Sequence, residues 1–214
     1  MVEIVAGSTD TEAYARISSE VLRWWTVTPE RVEHDRSALP SRRDWLALVD
    51  GEPVAAAMCV EPPDMRESAA VYAGICVLGR ARRRGVGSEL YRLVSERARE
   101  LRKSELEFFS FQDDPDGVAF AEHRGFTVVM RVRGLRLVLA TCPAPTVRLP
   151  DGVTITTLAE RADLDQGLWE TASEAMPDMP YDGDAPFHPG TFDEFRTLSL
   201  SGPQFIPEAT FLAL

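Results

Sequence analysis

Residues 71–101 read VYAGICVLGRARRRGVGSELYRLVSERAREL, and no other stretch limits so strongly what this chain can become. Val71–Leu78 is an unbroken apolar run whose β-branched and small residues suit a strand covered on both faces. Gly79 and an arginine-rich turn follow. From Gly85 onward Val86, Leu90, Leu93, Val94, Ala98 and Leu101 recur at helical spacing, with polar residues between them. The expectation is strand, Arg/Gly loop, helix.

A turn of this kind is an anion cradle. The first N–H groups of a helix have no intrahelical partner, and the positive end of the helix dipole lies beside them. Gly85 and Gly87 carry no Cβ, so a phosphate can approach the main chain, and Arg82, Arg83 and Arg84 add positive charge. Two common phosphate motifs do not fit. GxGxxG requires a third glycine that is misplaced here, and GxxxxGK[ST] requires a lysine that is absent. A basic surface turn, or an RxRRR patch for nucleic acid or sorting, shares the same short pattern.

The flanking chain narrows the choice. Val2–Gly7 alternates as a first strand, Ser8-Thr9-Asp10 offers an N-cap, and Ala13, Ile17, Val21, Leu22 and Trp25 form a helical face. Thr28–Leu39 is a short helix started by Thr28 and Pro29. Trp45–Val49 and Pro53–Val60 flank Asp50-Gly51 as a hairpin, and Glu61–Ser68 is the loop into the central strand. After the long helix, Leu106–Phe111 reads as a strand. Asp113-Asp114-Pro115-Asp116 opens a helix that runs to His123 and closes at Gly125. Phe126–Ala140 then alternates over two strand lengths around Arg133-Gly134.

Taken as Arg82-x-x-Gly85-x-Gly87 after a strand, the central loop resembles the R/Q-x-x-G-x-G/A signature of the GNAT superfamily of acyl-coenzyme A N-acyltransferases. Residues 117–126, GVAFAEHRGF, resemble that family's A-x-x-F-Y-x-x-x-G-F segment, and the element order over Val2–Ala140 agrees. The resemblance implies an α/β (α+β) chain with the GNAT fold, a mixed, mostly antiparallel central sheet flanked by helices. It further implies an N-acetyltransferase that moves an acetyl group from acetyl-CoA to a primary amine of a small molecule or peptide, without a metal. The main chain of Cys76, Val77 and Leu78 would bind the pantetheine arm and polarise the thioester. Arg82, Arg83, Arg84, Gly85, Val86, Gly87 and Ser88 would cradle the pyrophosphate. Asp114 stands where the family has an asparagine that touches the arm.

Proton handling departs from the family. The usual general-acid tyrosine is replaced by Ala121, and the glutamate often found early on the central strand is replaced by Val71 and Tyr72. Tyr72 is the candidate catalytic residue, with Glu61, Glu33 and His34 as further candidates for the base. These departures also support another reading, a catalytically weak acyl-CoA-binding sensor or interaction module.

Residues 1–142 form the first expected domain and 143–152 a Pro-rich linker. Residues 153–214 repeat the opening pattern: Val153–Ile155, Ala162–Ala175, Thr191–Glu194 and Phe211–Leu214 mirror the first strand, helix, second helix start and second strand. The expectation is a partial second GNAT-like unit whose last strand pairs with the first sheet or with a second chain, as in a homodimer, unless the sequence is a truncated version of a longer one. Charge divides with it. Residues 1–150 hold 21 Lys+Arg against 22 Asp+Glu, and residues 151–214 hold 2 against 12. Asp178, Asp182 and Asp184 are placed to flank a cationic amine, or else form a solvated loop. A net charge of −11 argues against nucleic acid as a partner. The absence of a long apolar span or signal segment leads to the expectation of a cytoplasmic protein with no membrane partner. Cys59, Cys76 and Cys142 are expected as buried, reduced thiols.

Overall fold

A computed structural model of the chain describes residues 2–7, 10–23, 25–143, 145–179 and 189–214. Asp182 and Asp184 therefore lie outside the described residues. The elements run β1 (Val2–Ala6), α1 (Thr11–Leu22), α2 (Pro29–Ala38), β2 (Arg43–Val49), β3 (Glu52–Val60), β4 (Ala70–Val77), α3 (Val86–Glu100), β5 (Glu105–Glu107) and α4 (Pro115–Glu122). Then follow β6 (Ile155–Thr157), α5 (Asp165–Ala175), α6 (Phe192–Ser199) and β7 (Phe211–Ala213).

The five strands β1–β5 form one sheet in sequence order. The pairs β1·β2, β2·β3 and β3·β4 are antiparallel, and β4·β5 is parallel. The pleat sends alternate residues to opposite faces. Trp45, Ala47 and Val49 of β2 and Val71 and Ala73 of β4 join Val86, Leu90, Val94 and Ala98 of α3 in one buried cluster. Leu46, Ala56 and Cys76 join Ala13, Tyr14 and Ile17 of α1 and Val32 of α2 in the other. The sheet is thus covered on both faces, which is why its strands read as continuous apolar runs.

Local chemistry behaves as the residues dictate. Asp10 caps α1 by accepting from the Ala13 N–H at 2.8 Å, and Thr28 caps α2 by accepting from the Arg31 N–H at 3.2 Å. Asp50 and Gly51 both take positive φ (53° and 82°) in the β2–β3 hairpin turn.

Three expectations are corrected. Trp25 lies beyond α1 and is 60% exposed, because the helix ends at Leu22 before reaching it. Residues 127–138 form no strand, and Val128, Val132, Leu135 and Leu137 are exposed. Alternation shows which face a strand would bury, but a strand forms only where a partner edge meets it. The β5 ladder here stops at Glu107. Cys142 is exposed, whereas Cys59 and Cys76 are buried.

The C-terminal elements follow the order β6–α5–α6–β7, with Thr191 and Glu194 forming a capping box at the start of α6. Their two strands pair with each other antiparallel, so β7 is covered by β6. These elements rest on α2 and on the turn Pro63–Met65. Arg66 is ion-paired with Glu194, and Arg31 donates to Gln204 at 3.1 Å. No helix of the described residues is long and apolar enough to cross a membrane.

Candidate functional site

The chain leaves β4 through Leu78, which is buried and extends the ladder by donating to the Val54 carbonyl at 3.0 Å. A short 3-10 turn, Gly79–Ala81, follows, with its Ala81 side chain buried. From Arg83 to Gly87, among the described residues, no main-chain N–H donates to a protein acceptor. Arg83 and Gly85 take left-handed dihedrals, φ 60° and 83°, of the kind that gather successive N–H groups into an anion concavity. Gly85 is the N-cap of α3 and supplies no capping side chain, and a Cβ on it would meet nothing within 4 Å. Open space, five unpaired donors and a helix dipole therefore meet in one place. Arg83 and Arg84 are exposed beside it, and buried Val86 anchors the helix start in the core. A phosphate group fits this cradle.

Gly87 and Ser88 serve packing as well. A Cβ on Gly87 would stand 3.2 Å from Cε2 of Phe120 and 3.7 Å from the Val77 side chain, so the missing Cβ lets α4 approach the start of α3. Ser88 Oγ accepts from Arg124 at 2.7 Å, and the Arg124 guanidinium lies 3.6 Å from the centroid of Phe120. Arg124 was not legible from its own position, because its partners are 36 residues earlier and four residues earlier on different elements.

Arg82 is used differently from Arg83 and Arg84. It donates from Nε to the Val77 carbonyl (3.3 Å) and from its two terminal nitrogens to the two oxygens of Asp114 (2.7 and 2.9 Å). A further contact reaches Asp116 at 3.3 Å. Asp114 is itself the N-cap of α4, accepting from the Gly117 N–H. Hydrogen bonds from Arg82, followed by that from Gly117, hold the Asp114 carboxyl below the usual carboxylate range despite partial burial.

The second feature is the parting of β4 and β5. Their parallel register covers Ala70–Tyr72 against Glu105–Glu107 and then ends, while β4 continues to Val77. Beyond Tyr72 the β4 main chain has no strand partner on its β5 side. At about 3.3 Å per residue, Tyr72 and Val77 stand roughly 17 Å apart along the strand. Tyr72 is half-buried, in register with Val60 and Glu107, and stacks on Phe109 (centroids 6.3 Å apart, planes at 24°). Burial, then the nearby charges of Asp64 and Glu107, raise its phenol above 10.0, so it keeps its proton at neutral pH. Asp64, on the turn Pro63–Met65, has no cationic partner among the described residues, and burial raises its carboxyl. No motif in the sequence pointed to Asp64, since it lies in a proline-bearing loop without periodicity.

Glu61 is taken by Lys103, whose Nζ lies 2.7 Å from its Oε1. Glu33 accepts from Thr11 at 3.4 Å. His34 sits on α2 with Nε2 buried and unpartnered, facing Gly202. Cys76 is fully packed against α1, and burial pushes its thiol up to about 12. Asp178 is exposed in a 3-10 turn after α5. Among the described residues no group of three or more His, Cys, Asp or Glu is arranged to hold a metal ion.

Comparison with known proteins adds the following. The family described as Acetyltransferase (GNAT) matches residues 11–126. Among solved structures, the fold is similar to a transcriptional regulator from Bacillus halodurans C-125 (TM-score 0.52, 19% identity, 64% of this chain and 100% of that one). It is also similar to AAC(6')-Iy in complex with the bisubstrate analog CoA-S-monomethyl-acetylneamine (TM-score 0.51, 18% identity, 64% of this chain and 99% of that one). A third is an acetyl transferase described as putative from Pyrococcus furiosus (TM-score 0.50, 22% identity, 64% and 100%). No curated protein matches the sequence.

Proposed function

Because this chain belongs to the acetyltransferase (GNAT) family, we propose that it transfers an acetyl group from acetyl-CoA to a primary amine of a small-molecule or peptide acceptor. The observation that carries this reading is the run of unpartnered N–H groups from Arg83 to Gly87, which follows the end of β4, a strand without a β5 partner from Ala73 onward. That cradle suits a pyrophosphate, with Arg82, Arg83, Arg84, Gly85, Val86, Gly87 and Ser88 around it. An extended arm bonded to the main chain of Cys76, Val77 and Leu78 would run back along β4 toward Tyr72. The donor supplies a thioester carbonyl open to attack and a thiolate that leaves.

The chain supplies position and protons. Main-chain N–H groups of β4 stabilise developing negative charge on oxygen without reorganising. Asp64, raised by burial and without a cationic partner, takes a proton from the acceptor's ammonium. Tyr72, protonated at neutral pH, donates to the thiolate as the C–S bond breaks, the role that Ala121 leaves vacant, and regains a proton from the second one that the attacking nitrogen sheds on becoming an amide. Asp114 borders the path of the arm from the start of α4. Glu194 and Gln204 of the C-terminal part meet Arg66 and Arg31, beside the turn that carries Asp64 and α2, and residues 151–214 hold 2 Lys+Arg against 12 Asp+Glu, a balance that favours a cationic acceptor. We read residues 153–214 as a second, partial GNAT-like unit, on the strength of the β–α–α–β order it shares with β1–α1–α2–β2.

The test is calorimetric titration with acetyl-CoA, followed by thiol release in the presence of a panel of amines. Binding together with acceptor-dependent thiol release is expected. A methyl group at Ala121 favours a second reading, an acyl-CoA sensor; tight binding with no release for any amine would establish that instead.

A further inference from the structure

The donor cradle and α4 are separate elements; Arg82 joins them through a two-pronged ion pair with Asp114, 32 residues on, and a longer contact with Asp116. Arg82 meets both oxygens of Asp114 in the fork geometry that gives guanidinium–carboxylate pairs their strength, and its Nε is bound to the carbonyl that ends β4. Both side chains are shielded, at 26% and 19% exposure, so water competes only weakly. Every nitrogen of the Arg82 guanidinium is thereby bonded to protein. Arg83 and Arg84, by contrast, are exposed.

We infer that Asp114 is a positioning residue for the acyl donor: by gripping Arg82 it braces the start of α4 against the end of β4. The phosphates are then met by the Arg83–Gly87 N–H groups and the Arg83 and Arg84 charges, while Arg82 acts as the brace. This inference rests on the acyl-CoA reading above.

The brace predicts a sign opposite to simple electrostatics. Asp114 places a negative charge beside a site for a polyanion, so if charge alone mattered, removing it would tighten binding. Under the brace, removing it loosens binding. Asp114→Asn keeps an N-cap acceptor for the Gly117 N–H and removes only the charge-assisted fork, so α4 stays capped. Asp116→Asn removes an equal charge from the same helix start and leaves the fork intact.

Calorimetric titration with CoA, backed by amide hydrogen exchange without CoA, reads the outcome. D114N is expected to weaken CoA binding by about tenfold and to speed exchange at the start of α4 and in residues 83–87. D116N is expected to leave binding unchanged or tighter. Arg82→Gln is expected to weaken binding to a similar extent, and the R82Q/D114N double variant no further than either single one, because both remove the same contact. Tighter or unchanged binding by D114N overturns the inference. So do losses that add in the double variant, since Arg82 would then act on the ligand independently of Asp114. Failure of the unaltered protein to bind CoA would instead overturn the donor reading, which the titration shows before any variant is made.

Discussion

The Nζ of Lys103 lies 2.7 Å from Oε1 of Glu61 and donates to the carbonyls of Met65, Arg66 and Ser68 at 3.0, 2.9 and 2.8 Å. The one lysine of the chain thus stitches the whole β3–β4 loop to the end of α3. That loop holds Asp64 on its inner turn and meets the C-terminal part through Arg66 and Glu194.

Lys103→Met should therefore destabilise the protein far more than an ordinary lysine replacement. Lys103 is 9% exposed, its three N–H donors face three carbonyls and its charge faces Glu61, and removing one partner of a buried pair costs about 3–5 kcal/mol. Denaturant unfolding checks this. A loss under 1 kcal/mol, the usual scale of an exposed pair, would show that the loop is held by something else.

The two glycines of the cradle should fail for different reasons. Gly85→Ala meets no atom but must hold φ 83°, at a cost of about 1–2 kcal/mol. Gly87→Val drives methyl groups toward Phe120 and Val77, with an overpacking cost of about 1–3 kcal/mol, and shifts α4 away from α3. Both should lower affinity for CoA. Shortening Phe120 to Leu is expected to restore part of the loss in Gly87→Val and none of the loss in Gly85→Ala, measured by titration and thermal unfolding.

Proton transfer gives a pH signature. Tyr72→Phe and Asp64→Asn should each lower kcat by roughly 10²-fold, the lower end for general acid–base catalysis, with affinity for CoA retained. Burial raises the folded-state pKa of Asp64 above 3.8. The acidic limb of the kcat/KM profile, where rate climbs as Asp64 ionises, should consequently stand above the ordinary carboxylate value and vanish in Asp64→Asn. Stability responds with the opposite sign. Protonation favours the folded form, so this residue's contribution grows as pH falls through its raised value. Asp114 is lowered instead, and its contribution persists above pH 3.8 and is lost only as pH falls through its folded value.

The thiols should separate under native alkylation. Burial raises Cys59 to about 11 and Cys76 to about 12, leaving almost no thiolate at pH 8, while Cys142 is exposed. Iodoacetamide followed by mass spectrometry should mark Cys142 and spare the other two until the protein is unfolded. Labelling of Cys76 at the same rate as Cys142 would show that the α1 face of the sheet opens.

Much of the fold over residues 2–107 was legible because its signals are local. The strand, loop and helix of residues 71–101, the caps at Asp10, Thr28 and Asp114, and the Asp50-Gly51 turn each depend on residues a few positions apart, where backbone geometry and side-chain type decide the outcome. The anion cradle belongs with them. Its donors are main-chain groups left over at a helix start, and Gly85 marks the place.

The site's long-range pairings were not legible. The sequence carries no sign that Asp114 grips Arg82 or that Glu61 pairs with Lys103, since each pair joins separate elements. Alternation over residues 126–140 suggested two strands, yet no edge of the sheet meets them. Sequence by itself determined the local elements whose signals lie a few residues apart, among them the glycine-bearing turn that leaves main-chain donors free between β4 and α3. Only the tertiary structure decided which charges neutralise one another and which remain for a ligand, because an arginine's pattern of neighbours in sequence carries no record of the carboxylate that folding brings within 3 Å of it.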